Sequence, residues 1–168
     1  MALIARTADR STRLRVYLND HLAGAVAGAH LARRCAANNA GTPLADQIDD
    51  LASAIEADRR TLRQVLSALQ VPAAWPKQMA ARVGEVVGRA KLNGQLRGYS
   101  PLGRLVELEG LCAGVEAKRN LWTSLRQITP TEPRLRAFDF DDLVERAERQ
   151  RAELERLRHK AAGEALGQ

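Results

Sequence analysis

Aromatic residues are scarce in this sequence. Two phenylalanines, two tryptophans and two tyrosines make up 4% of its 168 residues, while Ala, Leu, Arg and Glu dominate. Strands depend on aromatic and β-branched residues, whereas the dominant residues here favour helices. The composition therefore predicts an all-α protein without a sheet. The length is that of one domain, since domains typically span about 100–200 residues.

Cysteine and long apolar runs are also rare. Cys35 and Cys112 are the two cysteines, and they lie far apart among helix-forming residues. This pattern favours free thiols in a reducing compartment over a disulfide framework. The first residues lack the apolar core of a signal peptide, and no run of about 18 apolar residues follows. We therefore expect a cytoplasmic protein that does not enter a membrane.

Catalytic motifs are absent as well. The sequence has no phosphate-binding loop, no G-x-G-x-x-G, no H-E-x-x-H, no G-x-S-x-G and no C-x-x-C. His21 and His30 lie nine residues apart on one predicted helix, so they point in opposite directions and cannot share a metal ion there. We predict no catalytic residue. The net charge of +6 comes without a motif that reads nucleic acid, so nucleic-acid binding is not expected.

Helical periodicity recurs in five segments that Gly- and Pro-containing breaks separate. The predicted helices lie near residues 12–39, 43–70, 75–93, 102–127 and 139–165. Short connections make neighbouring helices antiparallel, so the first four predict an up-down-up-down four-helix bundle over residues 1–128. Residues 129–138 form a Pro-containing linker. Residues 139–168 form a charged amphipathic helix whose narrow apolar stripe predicts docking outside the bundle or pairing with a second copy.

Two matching segments carry the most specific chemical signal. Glu56 and Arg59 on the second predicted helix, and Glu116 and Arg119 on the fourth, both follow the pattern Glu-x-x-Arg. Residues three apart share a helix face, so each segment places a carboxylate beside a guanidinium. Two interpretations stay open. The pairs either form a buried ion-pair network inside the bundle or lie on solvated faces, where they contribute little.

Further carboxylates are candidates for the same interior. Glu109 precedes Glu116 by seven residues and shares its helix face, and Asp58 falls on an apolar seam of the second helix. The predicted set of ligand-binding or buried polar residues is Glu56, Asp58, Arg59, Glu109, Glu116, Arg119 and His21.

The helix order and the two Glu-x-x-Arg segments resemble the ferritin-like superfamily. The resemblance covers roughly residues 12–127, and the stretch from Leu108 to Trp122 is similar to small bacterial ferritin-like proteins of unassigned function. Members of that superfamily hold two iron ions with Glu-x-x-His motifs on the second and fourth helices and single glutamates on the other two. The resemblance implies ligand positions at Glu56 and Glu116, with counterparts on the first and third helices at Asp20 and Glu85.

The sequence departs from the ferritin-like pattern at the metal ligands themselves. Arg59 and Arg119 stand where histidines would bind iron, and a permanently cationic guanidinium does not coordinate a metal ion. We therefore predict no stoichiometric iron and no ferroxidase activity. Two guanidiniums would supply the positive charge that iron supplies to buried carboxylates. Histidine at both positions would then restore affinity for divalent metal.

Two functional hypotheses follow. The first is a non-enzymatic ferritin-like bundle without a cofactor that acts through self-association, as a homodimer formed with helix 139–165, or through a protein partner. The alternative is a metal-binding or oxidoreductase-type protein that holds iron or manganese with the carboxylates of Glu56, Glu109 and Glu116 and with His21. Metal analysis of protein purified without a chelator separates the two.

Overall fold

The computed structural model describes residues 2–73 and 99–167. Within these ranges the chain forms four α-helices and two short 3-10 turns, and no strand. The α-helices are α1 (Ala2–Asn39), α2 (Ala45–Ala68), α3 (Pro101–Ile128) and α4 (Phe140–Leu166). The prediction of an all-α protein is confirmed for this part of the chain. The helix predicted at residues 75–93 lies outside the described residues.

Side-chain caps start two of the helices, close to the starts predicted at residues 102 and 139. The Ser100 hydroxyl accepts a hydrogen bond from the Gly103 amide at 3.0 Å, and Pro101 fills the first helical position of α3. The Asp139 carboxylate accepts from the Asp142 amide at 3.0 Å at the start of α4. Each cap satisfies an amide that has no partner inside its own helix.

The ends of α1 differ in how well the sequence predicts them. The helix begins at Ala2 rather than near residue 12, because no glycine or proline interrupts the preceding residues and Ser11 does not break it. At the other end Gly41 has φ of +77°, a left-handed conformation that glycine adopts without strain after a helix. The break predicted after Asn39 is therefore confirmed.

Helix α1 packs antiparallel to both α2 and α3. The turn at residues 40–44 reverses the chain between α1 and α2. Arg34 pairs with Glu107 at 2.7 Å near one end of the α1–α3 contact, and Tyr17 donates to Ser124 at 3.2 Å toward the other end. These partners run in opposite order along the two helices.

Helix α4 completes the packing by contacting both α3 and α2. Arg104 pairs with Glu164 and Arg126 with Asp141, both at 2.7 Å, so α4 runs antiparallel to α3. Arg156 donates to Gln47 of α2 at 3.0 Å. These contacts place α4 alongside both helices.

The prediction that helix 139–165 lies outside the core is wrong. Both hydrophobic clusters of the described chain contain residues from all four helices, and α4 contributes to them Leu154, Leu157 and Ala161 in one and Phe140, Leu143, Val144 and Ala147 in the other. Leu154 and Leu157 are fully buried. The apolar stripe was predicted correctly, but a stripe of this width is enough to bury the helix against the other helices. It is covered by the chain's own helices and does not need a second copy.

None of the described helices combines the length and the apolar character that crossing a bilayer requires.

Candidate functional site

A layer of polar side chains crosses the interior between the two hydrophobic clusters. Asp58 of α2 has a side chain that is 1% exposed, and its carboxylate pairs with Lys118 of α3 at 2.6 Å and with Arg146 of α4. Gln150 of α4 donates to the same carboxylate at 3.0 Å and accepts from Lys118. Three helices thus each contribute to one buried ion-pair layer, which we call the polar layer: Asp58, Lys118, Arg146 and Gln150.

The helical repeat turns three of these residues, Asp58, Lys118 and Gln150, toward the interior. Asp58 follows Ile55 by three residues and precedes Leu62 by four, and Ile55 and Leu62 are both buried. Lys118 has the same relation to Val115 and Trp122, and Gln150 to Ala147 and Leu154. Residues three and four apart share a helix face, so each polar residue must point inward with its apolar neighbours.

The cost of burying charge explains why Asp58 is paired with cations in the polar layer. Burial lowers the pKa of the Lys118 ammonium, and the adjacent Asp58 carboxylate opposes that effect. An isolated buried charge is costly, whereas a hydrogen-bonded ion pair offsets much of that cost. Arg146 brings a second cation to Asp58 while about a third of its own side chain, 34%, remains exposed. The layer therefore holds one carboxylate between two cations.

An open cavity of about 280 Å³ lies beside the polar layer, between α1, α2 and α3. Asp58 and Lys118 line it together with the indole of Trp122. Most of its wall is apolar, and three glycines contribute bare backbone to it: Gly24, Gly28 and Gly114. Gly24 and Gly114 are exposed lining residues on α1 and α3, so the cavity opens between these helices.

A second polar cluster joins α1 and α3 nearer the end of the molecule. The buried Glu107 carboxylate pairs with Arg34 at 2.7 Å and accepts hydrogen bonds from Tyr99 at 2.8 Å and Asn38 at 3.2 Å. Burial raises the pKa of the Tyr99 phenol, as do the nearby thiol of Cys35 and the Glu107 carboxylate. The phenol therefore stays a neutral donor. This cluster anchors α3 to α1 and leaves its groups committed to one another.

Most of the residues predicted for the interior lie elsewhere. Glu56 pairs with Arg59 at 2.5 Å and Glu116 with Arg119 at 2.7 Å, and in each pair both residues belong to one helix. The side chains of Glu56 and Glu116 are 25% and 40% exposed. The arginine hydrogen bond lowers the pKa of both carboxylates. The hypothesis that these pairs build a buried network is wrong, and the polar layer is built from other residues.

The two Glu-x-x-Arg segments also do not face each other. Glu56 lies in the groove between α1 and α2, beside Arg33 and Arg60. Glu116 lies in the groove between α3 and α4, beside Glu148 and Arg151. Neither carboxylate occupies the interior position that the ferritin-like resemblance implies for it.

Of the other predicted residues, one reaches the interior. Asp58 is the centre of the polar layer, whereas Glu109 is exposed. His21 lies half-buried at the cavity with its ring 4.5 Å from that of Tyr17, and burial lowers its pKa against the opposing charge of Asp20. Within residues 2–73 and 99–167 no three His, Cys, Asp or Glu side chains come together as a metal site. The ligand set predicted for iron or manganese, Glu56, Glu109, Glu116 and His21, is therefore not assembled.

Sequence reasoning missed three of the four polar-layer residues. Lys118 had a detectable signal, since it falls on the apolar line of Leu111, Val115 and Trp122. Gln150 similarly interrupts the stripe between Ala147 and Leu154. Arg146 had no such signal, because it is one of several arginines along a charged helix.

Both cysteines are free thiols, as predicted. Burial, reinforced by the Glu107 carboxylate, raises the pKa of Cys35 to about 12. Burial and Glu155 raise that of Cys112 to about 11. Thiols that remain protonated are poor nucleophiles, so neither is an activated cysteine.

We therefore expect Cys35 to react with a disulfide reagent at pH 8 at least ~100-fold more slowly in the folded protein than in urea. Cys112 should react faster than Cys35 because it is only half-buried. The variants Cys112→Ser and Cys35→Ser isolate each thiol for stopped-flow measurement. Equal rates for Cys35 in the folded and unfolded protein would contradict its burial.

Comparison of the chain with known protein families, with curated proteins and with solved structures found no match.

Proposed function

We propose that this protein is a non-enzymatic helical bundle of the ferritin-like type that acts by binding another protein chain. The observation that carries the proposal is the pairing of Asp58 with Lys118 and Arg146 in the interior. In a ferritin-like bundle that region would hold metal ions among carboxylates. Here two side-chain cations take the place of the metal charge, so the carboxylate is committed to a structural ion pair.

The packing of the described helices supports a four-helix bundle of up-down type. Helix α3 runs antiparallel to α1, as the pairs Arg34–Glu107 and Tyr17–Ser124 indicate, and antiparallel to α4, as Arg104–Glu164 and Arg126–Asp141 indicate. In this proposal α4 is one of the bundle helices, in contrast to the sequence-based layout. The helix predicted at residues 75–93 lies outside the described residues.

Self-association is the binding mode that we propose first, with a different protein partner as its alternative. The apolar stripe of α4 is buried within the chain, so a homodimer has to use another surface. Large hydrophobic side chains exposed on the described part are Val16, Leu102 and Leu166. Light scattering between one and one hundred micromolar tests the proposal. A monomer throughout would remove self-association and leave a separate protein partner.

Metal content gives a second, independent test. Protein purified without a chelator is expected to hold no stoichiometric iron or manganese, because its interior carboxylate is already neutralised by Lys118 and Arg146. Elemental analysis returning about two ions per chain would overturn the proposal in favour of the metal-binding alternative.

The double variant Arg59→His/Arg119→His is expected to gain no shared divalent-metal site. Sequence reasoning expected the opposite, but Glu56 and Glu116 lie in different grooves of the molecule. Each single variant serves as the control for metal binding by an isolated Glu/His pair. Calorimetric titration with Zn²⁺ or Fe²⁺ checks the result, and a tight site present only in the double variant would contradict the placement of these segments.

A further inference from the structure

The outward face of α2 carries charge that is divided along the helix. One line of side chains on this face repeats at alternating steps of three and four residues, which keeps it on one side of a helix. We call this line the α2 stripe: Asp46, Asp49, Ser53, Glu56, Arg60 and Arg63. All of its members are exposed except Glu56, which is partly buried. Both aspartates lie towards the start of the helix, and both arginines of the stripe lie towards its end.

The dipole of the helix accounts for only part of this division. The N-terminus of a helix favours acidic residues and its C-terminus favours basic ones, but the effect fades within one turn. Asp46 lies in the first turn of α2, whereas the last turn contains no basic residue. The dipole therefore does not explain where the two arginines of the α2 stripe lie.

Pairing within α2 does not neutralise the ends of the stripe either. Asp46 and Asp49 have no basic residue three or four positions away, and Arg63 has no acidic one. Within residues 2–73 and 99–167, no ion pair reaches these three side chains. On α4, in contrast, charges of opposite sign alternate, and Arg149 pairs with Glu145 of the same helix. Compensation for the ends of the α2 stripe therefore comes from solvent or from another protein surface.

The α2 stripe is complementary to its own reverse. The point midway between Asp49 and Arg60 is also midway between Asp46 and Arg63. A second α2 that lies antiparallel, about a two-fold axis through this point, places each aspartate of one copy opposite an arginine of the other. Two-fold symmetry forms every such contact twice, and it is the commonest symmetry of protein dimers.

The groove beside the stripe lets another helix come close. Its lining between α1 and α2 includes the short side chains of Ala36, Ala37, Ala40 and Ala52. The distance between packed helices depends on the side chains at their contact, and short ones shorten it. Charge complementarity contributes orientation and specificity more than affinity. The alanines therefore supply contact area, and the stripe sets the register.

We propose that the α2 stripe is the surface through which two copies of this chain associate, with their α2 helices antiparallel about a two-fold axis. Asp49 of one copy pairs with Arg60 of the other, and Asp46 pairs with Arg63 in the same way. This inference rests on the self-association proposed above and names its surface. Exposed ion pairs are screened by salt, so the dimer is expected to weaken as the salt concentration rises.

Charge reversal on the full chain tests the surface. Asp49→Arg and Arg60→Asp each place like charges opposite each other in both symmetry-related contacts. Each variant alone should therefore dimerise at least about tenfold more weakly than the wild type at low salt. An equimolar mixture of the two variants should regain wild-type association. In that heterodimer the introduced arginine faces the introduced aspartate, and the native pair forms the second contact. Sedimentation equilibrium between one and one hundred micromolar measures the average mass of each sample.

Glu148→Arg on α4 is the control. It changes the net charge by as much as Asp49→Arg does, but its 54% exposed side chain lies in the groove between α3 and α4, so association should stay at the wild-type level. A wild-type dimer that neither reversal weakens would overturn the α2 stripe as its surface and leave self-association through another one. A mixture no heavier than the single variants would overturn the antiparallel pairing. A wild-type monomer throughout would overturn both this inference and the self-association on which it rests.

Discussion

The Asp58→Asn variant is expected to lose about 3–5 kcal/mol of unfolding free energy at pH 7, as when one partner is removed from a buried ion pair. The wild-type carboxylate is 1% exposed and faces both Lys118 and Arg146. Asparagine has nearly the same shape but no charge, so the Lys118 ammonium would stay buried without its counter-charge. Urea unfolding followed by circular dichroism measures the loss.

Asp142→Asn provides the matched control for this variant. Asp142 also pairs with Arg146, at 3.7 Å, but its side chain is 51% exposed. Solvent screens such a pair, so the change should cost less than about 1 kcal/mol. Equal losses of unfolding free energy for the two variants would mean that the contribution of the Asp58 charge to stability does not depend on its burial.

The penalty for Asp58→Asn should also become smaller as the pH rises. Burial already lowers the pKa of Lys118, so the folded protein releases this proton at lower pH than the unfolded chain does. Stability therefore increases with pH between the folded and the unfolded pKa of this lysine. Without the Asp58 carboxylate, nothing on that side opposes the lowering of the Lys118 pKa by burial. The folded-state pKa of Lys118 therefore falls further, and the pH range over which stability increases becomes wider. The variant should consequently recover part of its loss between pH 7 and pH 10.

A double variant distinguishes the effect of the lost charge on stability from the effect of the changed side-chain shape. Asp58→Asn/Lys118→Met leaves no buried charge at positions 58 and 118, and it should be more stable than Asp58→Asn alone. A double variant as unstable as the sum of the two single changes would show that the two side chains are not energetically coupled.

The Leu154→Ala variant is expected to lose about 2–5 kcal/mol of unfolding free energy, as is typical for a truncated core leucine. Leu154 lies on α4 and is fully buried in the cluster that also contains Ile48 and Leu108. The prediction follows from the place of α4 inside the core. Chemical denaturation at two protein concentrations measures the loss and shows whether it depends on association.

Leu166→Ala is the control within the same helix. Its side chain is 68% exposed, so the change should stay within about 0.5 kcal/mol. If α4 instead paired with a second copy, Leu154→Ala would shift the monomer–dimer equilibrium and leave the stability of the dilute monomer unchanged. That outcome would restore the arrangement expected from the sequence alone.

Local sequence patterns predict most of the secondary structure and the apolar faces of the described helices. Helix propensity, caps such as Ser100 and Asp139, and the left-handed Gly41 act between residues close in the chain, so they can be predicted without a tertiary structure. The stripe along α4 was predicted for the same reason. A periodic pattern reports which face of a helix is apolar, whatever covers it.

Helix packing, in contrast, determines which surfaces the helices cover and which charged side chains pair. Periodicity does not say whether a stripe is buried by its own chain or by another, and α4 was therefore placed outside the core although Leu154 is fully buried within it. Glu56 and Arg59 pair with each other within one turn of helix. Their spacing therefore does not indicate whether the pair is buried or exposed. Asp58 and Lys118 are 60 residues apart, and Asp58 and Arg146 are 88 apart. Their pairing depends on the packing of three helices, and no local pattern in the sequence encodes that packing.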